Sequence, residues 1–327
     1  MRATDLGITI GRFDTGPRNA ITDVEGVLVG HTTVVADDVR SGVTAVVPEA
    51  LTTWRTTLPA GLAVGNGHGK LIGATQIDEM GAIETPILLT STLSAYRVAD
   101  ALVTYMLNLP EHHDTITLNP VVGETNDGFL SDIRSRPIRE EHVVAAIESA
   151  GREVVEGCVG AGTGTVALGY KGGIGTASRV VDVAGETRTV GALVQSNFGG
   201  TLTAAGVRMP AQELLATTPP EPDGNSCMIV VATDAPLDAR QLQRVARRAV
   251  YAMARVGARY SNSSGDYAIA FGSHGAPPAD SALNEIFEGT MDAVEEALLN
   301  SLFTAETTYG YRGRAAHAVP TSRYSQP

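Results

Sequence analysis

The sequence predicts an α+β fold in which sheets are covered by helices. Segments typical of strands and of amphipathic helices both occur, but they do not alternate regularly as they do in βαβ proteins. Several predicted strands are apolar at consecutive positions, which indicates that both of their faces are buried. Of the 327 residues, 43% are hydrophobic, which is enough to fill a sizeable core.

Six segments are predicted to be strands because they are rich in β-branched or apolar residues and are bounded by Gly, Pro or polar clusters. They are residues 27–29, 43–47, 86–90, 190–195, 228–232 and 267–271. The clearest helix follows Pro236: apolar residues recur at helical spacing from Leu242 to Val256, arginines take the other positions, and Gly257 offers a stop. Further helices are predicted over residues 93–107, 140–150 and 291–303.

Composition excludes several classes of protein. The formal net charge of −12 argues against a nucleic-acid-binding protein, whose surface is basic. Cys158 and Cys227 are too few for a disulfide framework. Residues 1–10 lack the features of a signal peptide, and no apolar run is long enough to span a membrane. These observations predict a soluble cytoplasmic protein.

Glycines cluster at residues 65–69, 160–164 and 172–175, which marks turns and close backbone approaches. The second cluster lacks the GK[ST] ending and the GxGxxG spacing of nucleotide-binding loops, so a nucleotide-binding enzyme is poorly supported. No HExxH or CxxC pattern occurs, and we predict neither a metal nor another cofactor. Among the histidines, His31 and His68 are the candidates to line a cleft.

The most informative stretch is a Pro- and Gly-rich loop over residues 216–224, which is followed by Asn225, Ser226 and a dense apolar run. Loops of this composition tolerate a break in the chain. A cut between Asn225 and Ser226 would make the serine a new N-terminus that carries both a hydroxyl and an amine. A serine hydroxyl is a poor nucleophile until a neighbouring base activates it, and the new amine is such a base.

Four polar residues next to apolar segments are candidate partners of Ser226. Asn197 could donate its amide to an oxyanion, and Glu124 could hold a substrate ammonium. Ser264 and Asp266 could orient and tune the serine amine as acid and base. Taken singly, each residue also fits an ordinary turn or helix cap.

Several long motifs in order resemble the self-processing family of the L-aminopeptidase/D-esterase and the β-peptidyl aminopeptidases. They are residues 19–33, the glycine-rich residues 160–179, the candidate cleavage site and strand at 225–237, and residues 295–303. The resemblance covers nearly the whole chain. It implies a four-layer αββα sandwich like that of N-terminal nucleophile hydrolases. It also implies one self-processed domain over residues 1–327, cut into an α chain, 1–225, and a β chain, 226–327.

The resemblance also implies roles for the candidate residues. Ser226 is similar to the family's nucleophile, Asn197 to its oxyanion residue and Ser264 to its second serine. Glu124 matches the carboxylate that receives the substrate amine.

Two positions depart from the family pattern. Asp266 stands where members commonly carry Glu, and Asn126 stands where they often carry Tyr or Trp. We expect Asn126 to line the substrate pocket, and we expect the αβ units to assemble as a homotetramer.

The resulting hypothesis is an aminopeptidase that cuts itself before Ser226 and acts on short peptides, amides or esters. The sequence is also compatible with an acyltransferase similar to ornithine acetyltransferases, although those use threonine as the nucleophile. A third possibility is an uncut relic that binds amino acids or peptides. The choice among L-peptides, D-amides or esters and β-peptides depends on the shape of the pocket.

Overall fold

A computed structural model describes residues 1–220 and 225–323. Within that part, the α-helices are Glu49–Thr53 (α1), Ala74–Met80 (α2), Ala95–Leu107 (α3), Glu140–Glu148 (α4), Ala211–Leu214 (α5), Ala239–Arg255 (α6) and Asn284–Phe303 (α7). The strands are Val27–Ala36 (β1), Val39–Pro48 (β2), Leu58–Gly67 (β3), Leu71–Ile72 (β4), Ala82–Ile83 (β5), Ile87–Ser91 (β6), Val121–Thr125 (β7), Val166–Ala167 (β8), Tyr170–Lys171 (β9), Ile174–Val183 (β10), Glu186–Asn197 (β11), Leu202–Ala204 (β12), Val207–Met209 (β13), Ser226–Thr233 (β14), Gly265–Gly272 (β15), Thr308–Tyr309 (β16) and Ala315–Ala316 (β17). No helix of the described residues is long and apolar enough to cross a membrane.

Two mixed sheets form the centre of the fold. The first has five strands in the order β1-β2-β6-β7-β4, and the second has six in the order β10-β11-β14-β15-β3-β5. Each contains one parallel pair, β6 with β7 and β14 with β15, while the other neighbours are antiparallel. The two parallel pairs carry Glu124, Ser226 and Asp266 among the candidate site residues.

The sheets pack face to face, and helices cover both outer faces. Helices α3 and α4 lie on the first sheet, and α6 and α7 lie on the second. Three apolar layers separate these four layers of structure: one between the sheets and one beneath each pair of helices. The predicted four-layer αββα sandwich is therefore confirmed.

Strand β14 shows why the predicted strands are apolar at consecutive positions. Met228 and Val230 pack between the sheets, while Ile229 and Val231 pack beneath α6 and α7. Successive side chains of a strand point to opposite faces, so a strand covered on both sides needs apolar residues throughout.

All six predicted strands are present, and the helix after Pro236 runs over α6. Its first turn is capped by Asp238, whose side chain accepts a hydrogen bond of 2.7 Å from the Gln241 backbone N–H. The helices predicted over 93–107 and 140–150 correspond to α3 and α4. The predicted loop at 216–224 holds neither helix nor strand over 216–220, and its residues 221–224 lie outside the described part.

The predicted start of the last helix at residue 291 is wrong, because α7 begins at Asn284. Gly289 interrupts the apolar pattern there, and a Cβ at this glycine would lie 2.6 Å from Val181. Among the described strands of five or more residues, β3, β7 and β10 were not predicted. In β3, glycines that read as turns allow close packing: a Cβ on Gly61 would lie 2.1 Å from the backbone nitrogen of Gln243 in α6.

Candidate active site

Ser226 is the first residue of the central strand β14 and is only 3% exposed. Asn197 pairs with it on the antiparallel neighbour β11, and Gly265 pairs with it on the parallel neighbour β15. Ser226 has the same parity on the strand as Met228, which packs between the sheets. Its hydroxyl therefore faces the first sheet rather than the outer helices.

The peptide bond between Asn225 and Ser226 is held at its carbonyl group. The backbone N–H of Gly265 donates a hydrogen bond of 2.9 Å to the Asn225 carbonyl oxygen. A donor in this position stabilises the oxyanion that forms when a nucleophile attacks the carbonyl carbon. Position 265 also has no room for a side chain, because a Cβ there would lie 2.4 Å from the Gly69 nitrogen.

Asn197 ends strand β11 and is buried beside Ser226. Its Oδ1 accepts a hydrogen bond of 2.9 Å from the Val166 backbone N–H. This bond fixes the orientation of the amide, because Oδ1 is its acceptor end and Nδ2 is its donor end. An oriented amide donor next to the serine is the arrangement that an oxyanion site requires.

Ser264 and Asp266 form a buried pair at the start of β15. The Ser264 hydroxyl donates to Asp266 Oδ1 over 2.8 Å, and the Asn66 side-chain amide donates to Oδ2 over 3.0 Å. Burial raises the pKa of Asp266, while hydrogen bonds from Asn66, Ser264 and the Cys227 backbone act in the opposite direction. The short aspartate side chain thus has a donor on each of its oxygens.

Glu124 lies near the end of β7 and is 2% exposed. Its Oε1 accepts a hydrogen bond of 2.8 Å from the Lys70 backbone N–H and lies 3.5 Å from the Lys70 ammonium. Its Oε2 accepts a hydrogen bond from the Thr92 hydroxyl. These donors hold a negative charge in a site that is otherwise shielded from water.

Gly69 lies between Glu124 of the first sheet and the strand partner of Ser226 in the second. A methyl group placed on Gly69 would lie 3.1 Å from the Cα of Gly265 and 3.4 Å from Glu124 Oε1. Gly265 is the strand partner of Ser226, so Gly69 lies between the Glu124 carboxylate and the strand pair that carries the serine. Strands β7 and β14, which carry Glu124 and Ser226, also contact each other across the two sheets.

Asn126 and Asp127 follow Glu124 directly. Asn126 Oδ1 accepts a hydrogen bond of 2.9 Å from the Gly128 N–H, so its amide supports the turn after β7. Asp127 is buried, and its Oδ2 accepts a hydrogen bond of 2.6 Å from the Ser41 hydroxyl. Burial raises the pKa of Asp127 to about 7.

The histidines do not belong to this cluster. His31 Nδ1 lies 2.9 Å from the Thr44 hydroxyl, and burial lowers the pKa of its imidazole to about 4. His68 is exposed, and its backbone N–H donates to the Ser264 carbonyl over 3.2 Å. No group of His, Cys, Asp and Glu side chains in the described residues could hold a metal ion.

The glycines at 160–164 pack against protein backbone. A Cβ at Gly162 would lie 2.5 Å from the Ile174 nitrogen, and one at Gly164 would lie 2.1 Å from the Arg40 carbonyl oxygen. These glycines therefore allow close chain packing rather than forming an open loop around a phosphate.

The sequence reasoning missed four residues of the site: Asn66, Lys70, Thr92 and Gly265. Asn66 lies inside a glycine cluster that is typical of a turn, and Thr92 lies between a predicted strand and a predicted helix. Lys70 and Gly265 donate through their backbone N–H groups. Every residue except proline has such a group, so the residue type gives no signal of this role.

The fold and the site define a hydrolase of the N-terminal nucleophile type, a serine aminopeptidase. The chain belongs to Peptidase family S58, whose profile matches residues 19–316. It is 40% identical to "Beta-peptidyl aminopeptidase BapA" from Sphingosinicella xenopeptidilytica, over 98% of this chain and 89% of that protein.

Solved structures show the same fold. The PH0078 protein from Pyrococcus horikoshii OT3 has a TM-score of 0.92 at 43% identity, covering 99% of this chain and 97% of that one. The L-aminopeptidase D-Ala-esterase/amidase from Ochrobactrum anthropi, described as a variant of the Ntn hydrolase fold, has a TM-score of 0.90 at 36% identity, covering 98% and 96%. The family predicted from the sequence motifs is therefore confirmed.

Proposed function

We propose that this chain cuts itself between Asn225 and Ser226 and then removes N-terminal residues from short peptides, amides or esters, with Ser226 as the nucleophile. The observation that carries the proposal is the position of Ser226. Ser226 is the first residue of a central strand and lies beside the oriented Asn197 amide. It directly follows the Asn225 carbonyl group, which accepts a hydrogen bond from the Gly265 N–H.

Self-cleavage begins when Ser226 Oγ attacks the Asn225 carbonyl carbon. The Gly265 N–H lies on the carbonyl oxygen and stabilises the charge that develops there. The C–N bond breaks as the nitrogen takes a proton, which leaves Asn225 as an ester on Ser226 Oγ. This shift frees the α-amine of Ser226, and water then hydrolyses the ester, which releases the Asn225 carboxylate and restores the Ser226 hydroxyl.

In the mature enzyme, the same Oγ attacks the carbonyl carbon of a substrate. The α-amine of Ser226, with an ordinary pKa of about 8, takes the hydroxyl proton and later delivers it to the leaving group. The Asn197 amide donates to the oxyanion, and one such donor is worth about 3–4 kcal/mol of transition-state stabilisation. Ser264 and Asp266 orient the groups around the amine.

Glu124 accounts for selection of an N-terminal residue. It is a buried carboxylate near Gly69, whose other neighbour is the strand partner of Ser226, and an ammonium group is its natural ligand. A substrate with a blocked amine would lose its ion pair with this carboxylate, which would keep only its contacts with Lys70 and Thr92. Asn126, two residues further on along the chain, is proposed to line the substrate pocket.

The Ser226→Ala variant tests the proposal. We expect one uncut chain on a denaturing gel and in the intact mass, and no hydrolysis of amino-acid nitroanilides. Ser263→Ala, at an exposed neighbouring serine, is the matched control and is expected to be cut and active. Two chains from Ser226→Ala would refute the assignment of the nucleophile.

Membership of a peptidase family favours hydrolysis over acyl transfer and over a non-catalytic relic. Offering ornithine as an acceptor separates the first two: transfer of the acyl group to ornithine in preference to water would support the acyltransferase. The homotetramer of αβ units and the cytoplasmic location remain predictions.

A further inference from the structure

A cavity of about 120 Å³ lies beside the proposed cleavage site. Its apolar wall consists of Val166, Leu168 and Phe198, and its polar rim includes Asn225 and Arg259. Val166 also donates its N–H to Asn197, so this cavity adjoins the proposed oxyanion site. It lies on the β11 side of Ser226, whereas Glu124 lies towards β15.

The side chains of Asn225 and Arg259 both lie close to Gly199. A methyl group on Gly199 would lie 3.2 Å from Asn225 Nδ2 and 3.3 Å from Arg259 Nη2. The Asn225 amide and the Arg259 guanidinium are therefore separated by a gap of about the width of one methyl group. The absence of a side chain at Gly199 leaves this space open to both groups.

The guanidinium of Arg259 has no acidic partner in the described part of the chain. Its Nε donates to the Ser261 hydroxyl over 3.4 Å, and no described carboxylate forms an ion pair with it. Its backbone N–H donates to the Gly199 carbonyl over 2.9 Å, which anchors the residue at the cavity. An exposed guanidinium that lies at a cavity and forms no ion pair with the described residues is suited to a carboxylate ligand.

The chemistry of self-cleavage shows what enters this cavity. The ester of Asn225 on Ser226 Oγ is an acyl-enzyme, and it differs from the acyl-enzyme of the mature reaction only in the acyl group. The side chain of the substrate's N-terminal residue therefore occupies the cavity beside the position of the Asn225 side chain.

We propose that Arg259 is a specificity-determining residue that selects substrates with an acidic side chain on the N-terminal residue. This inference rests on the proposed function. The substrate ammonium binds Glu124 on one side of Ser226, and the side-chain carboxylate binds Arg259 on the other. A neutral amide of the same shape occupies the cavity but lacks the charge that pairs with the guanidinium.

The test compares p-nitroanilides of Asp, Asn and Leu as substrates of the wild-type enzyme and of Arg259→Gln. The wild type is expected to show a higher kcat/KM for the Asp than for the Asn substrate. In Arg259→Gln the Asp-to-Asn ratio of kcat/KM is expected to fall about 10- to 100-fold, the range for a hydrogen bond to a charged group. The rate with the Leu substrate is expected to change little.

Arg247→Gln, at an exposed arginine on α6, is the matched control and should keep the wild-type ratio. An Asp-to-Asn ratio that is below one in the wild type, or unchanged in Arg259→Gln, overturns the proposal. So does a variant that loses discrimination between free and amidated C-termini of dipeptides instead, since Arg259 would then bind the leaving group. A protein that is inert to all three anilides refutes the proposed function itself, which keeps the two failures apart.

Discussion

The Ser264 hydroxyl donates a 2.8 Å hydrogen bond to Asp266, and the opposite oxygen of the same carboxylate accepts one of 3.0 Å from Asn66. Asp266 is fully buried, and burial raises its pKa. The two donors favour the charged carboxylate and hold the pKa down. The ionisation of this group is therefore controlled by residues on β3 and on the turn before β15.

Removing the Asn66 donor should change the pH dependence of hydrolysis. In Asn66→Leu the pKa of Asp266 is expected to rise further, so the acid limb of the kcat/KM profile moves to higher pH. Asn262→Leu, at an exposed position, is the control. An acid limb that stays at its wild-type pH in Asn66→Leu would show that Asp266 does not set it.

Glu124→Gln should weaken recognition of the substrate amine. The variant keeps the shape of the side chain but loses the charge, so kcat/KM for a free aminoacyl anilide is expected to fall about 10- to 100-fold. The N-acetylated anilide should be hydrolysed slowly and at similar rates by both proteins. Glu111→Gln on the surface serves as the control. Equal losses on both substrates would contradict a role in binding the amine.

Asp127 should make the folded protein less stable as the pH rises. Its folded-state pKa is about 7, against an ordinary value of 3.8. Between these pH values the folded chain binds the extra proton, so the free energy of unfolding falls with rising pH, by at most about 4 kcal/mol. Glu124 strengthens this shift and Lys171 opposes it, because both charges lie near the carboxylate.

Asp127→Asn is therefore expected to flatten the slope between pH 4 and 7, as measured by urea unfolding at several pH values. Some slope should remain, because burial also raises the pKa of Glu156 to about 7. The exposed Asp78→Asn is the matched control. A slope in Asp127→Asn as steep as that of the wild type would contradict the assignment.

Gly61→Ala should destabilise the fold. The new Cβ would lie 2.1 Å from the Gln243 backbone nitrogen, so β3 and α6 must separate. Overpacking of this kind costs about 1–3 kcal/mol, and a backbone neighbour yields less than a side chain does. At Gly151 a Cβ meets no atom within 4 Å, so Gly151→Ala is the control. Equal midpoints of thermal unfolding for the two variants would refute the packing argument.

Much of the fold was predictable because its signals are local. The apolar residues of β14 and α6 lie at strand and helix spacing in the sequence itself, and tertiary packing agrees with them. Strand β3 was not predicted, because the glycines in its sequence are typical of a turn. They are explained only by the approach of α6, which is far away in the sequence.

The sequence by itself predicted Ser226 as the candidate nucleophile and determined the apolar strand that follows it and the family, since each depends on neighbouring residues or on motifs in order. Only the tertiary structure decided which groups surround Ser226. Asn66 reaches Asp266 from 200 positions away, and Lys70 reaches Glu124 from 54. These partners meet because strand pairing and sheet packing join distant segments, and the pattern of residues along the chain does not encode that register.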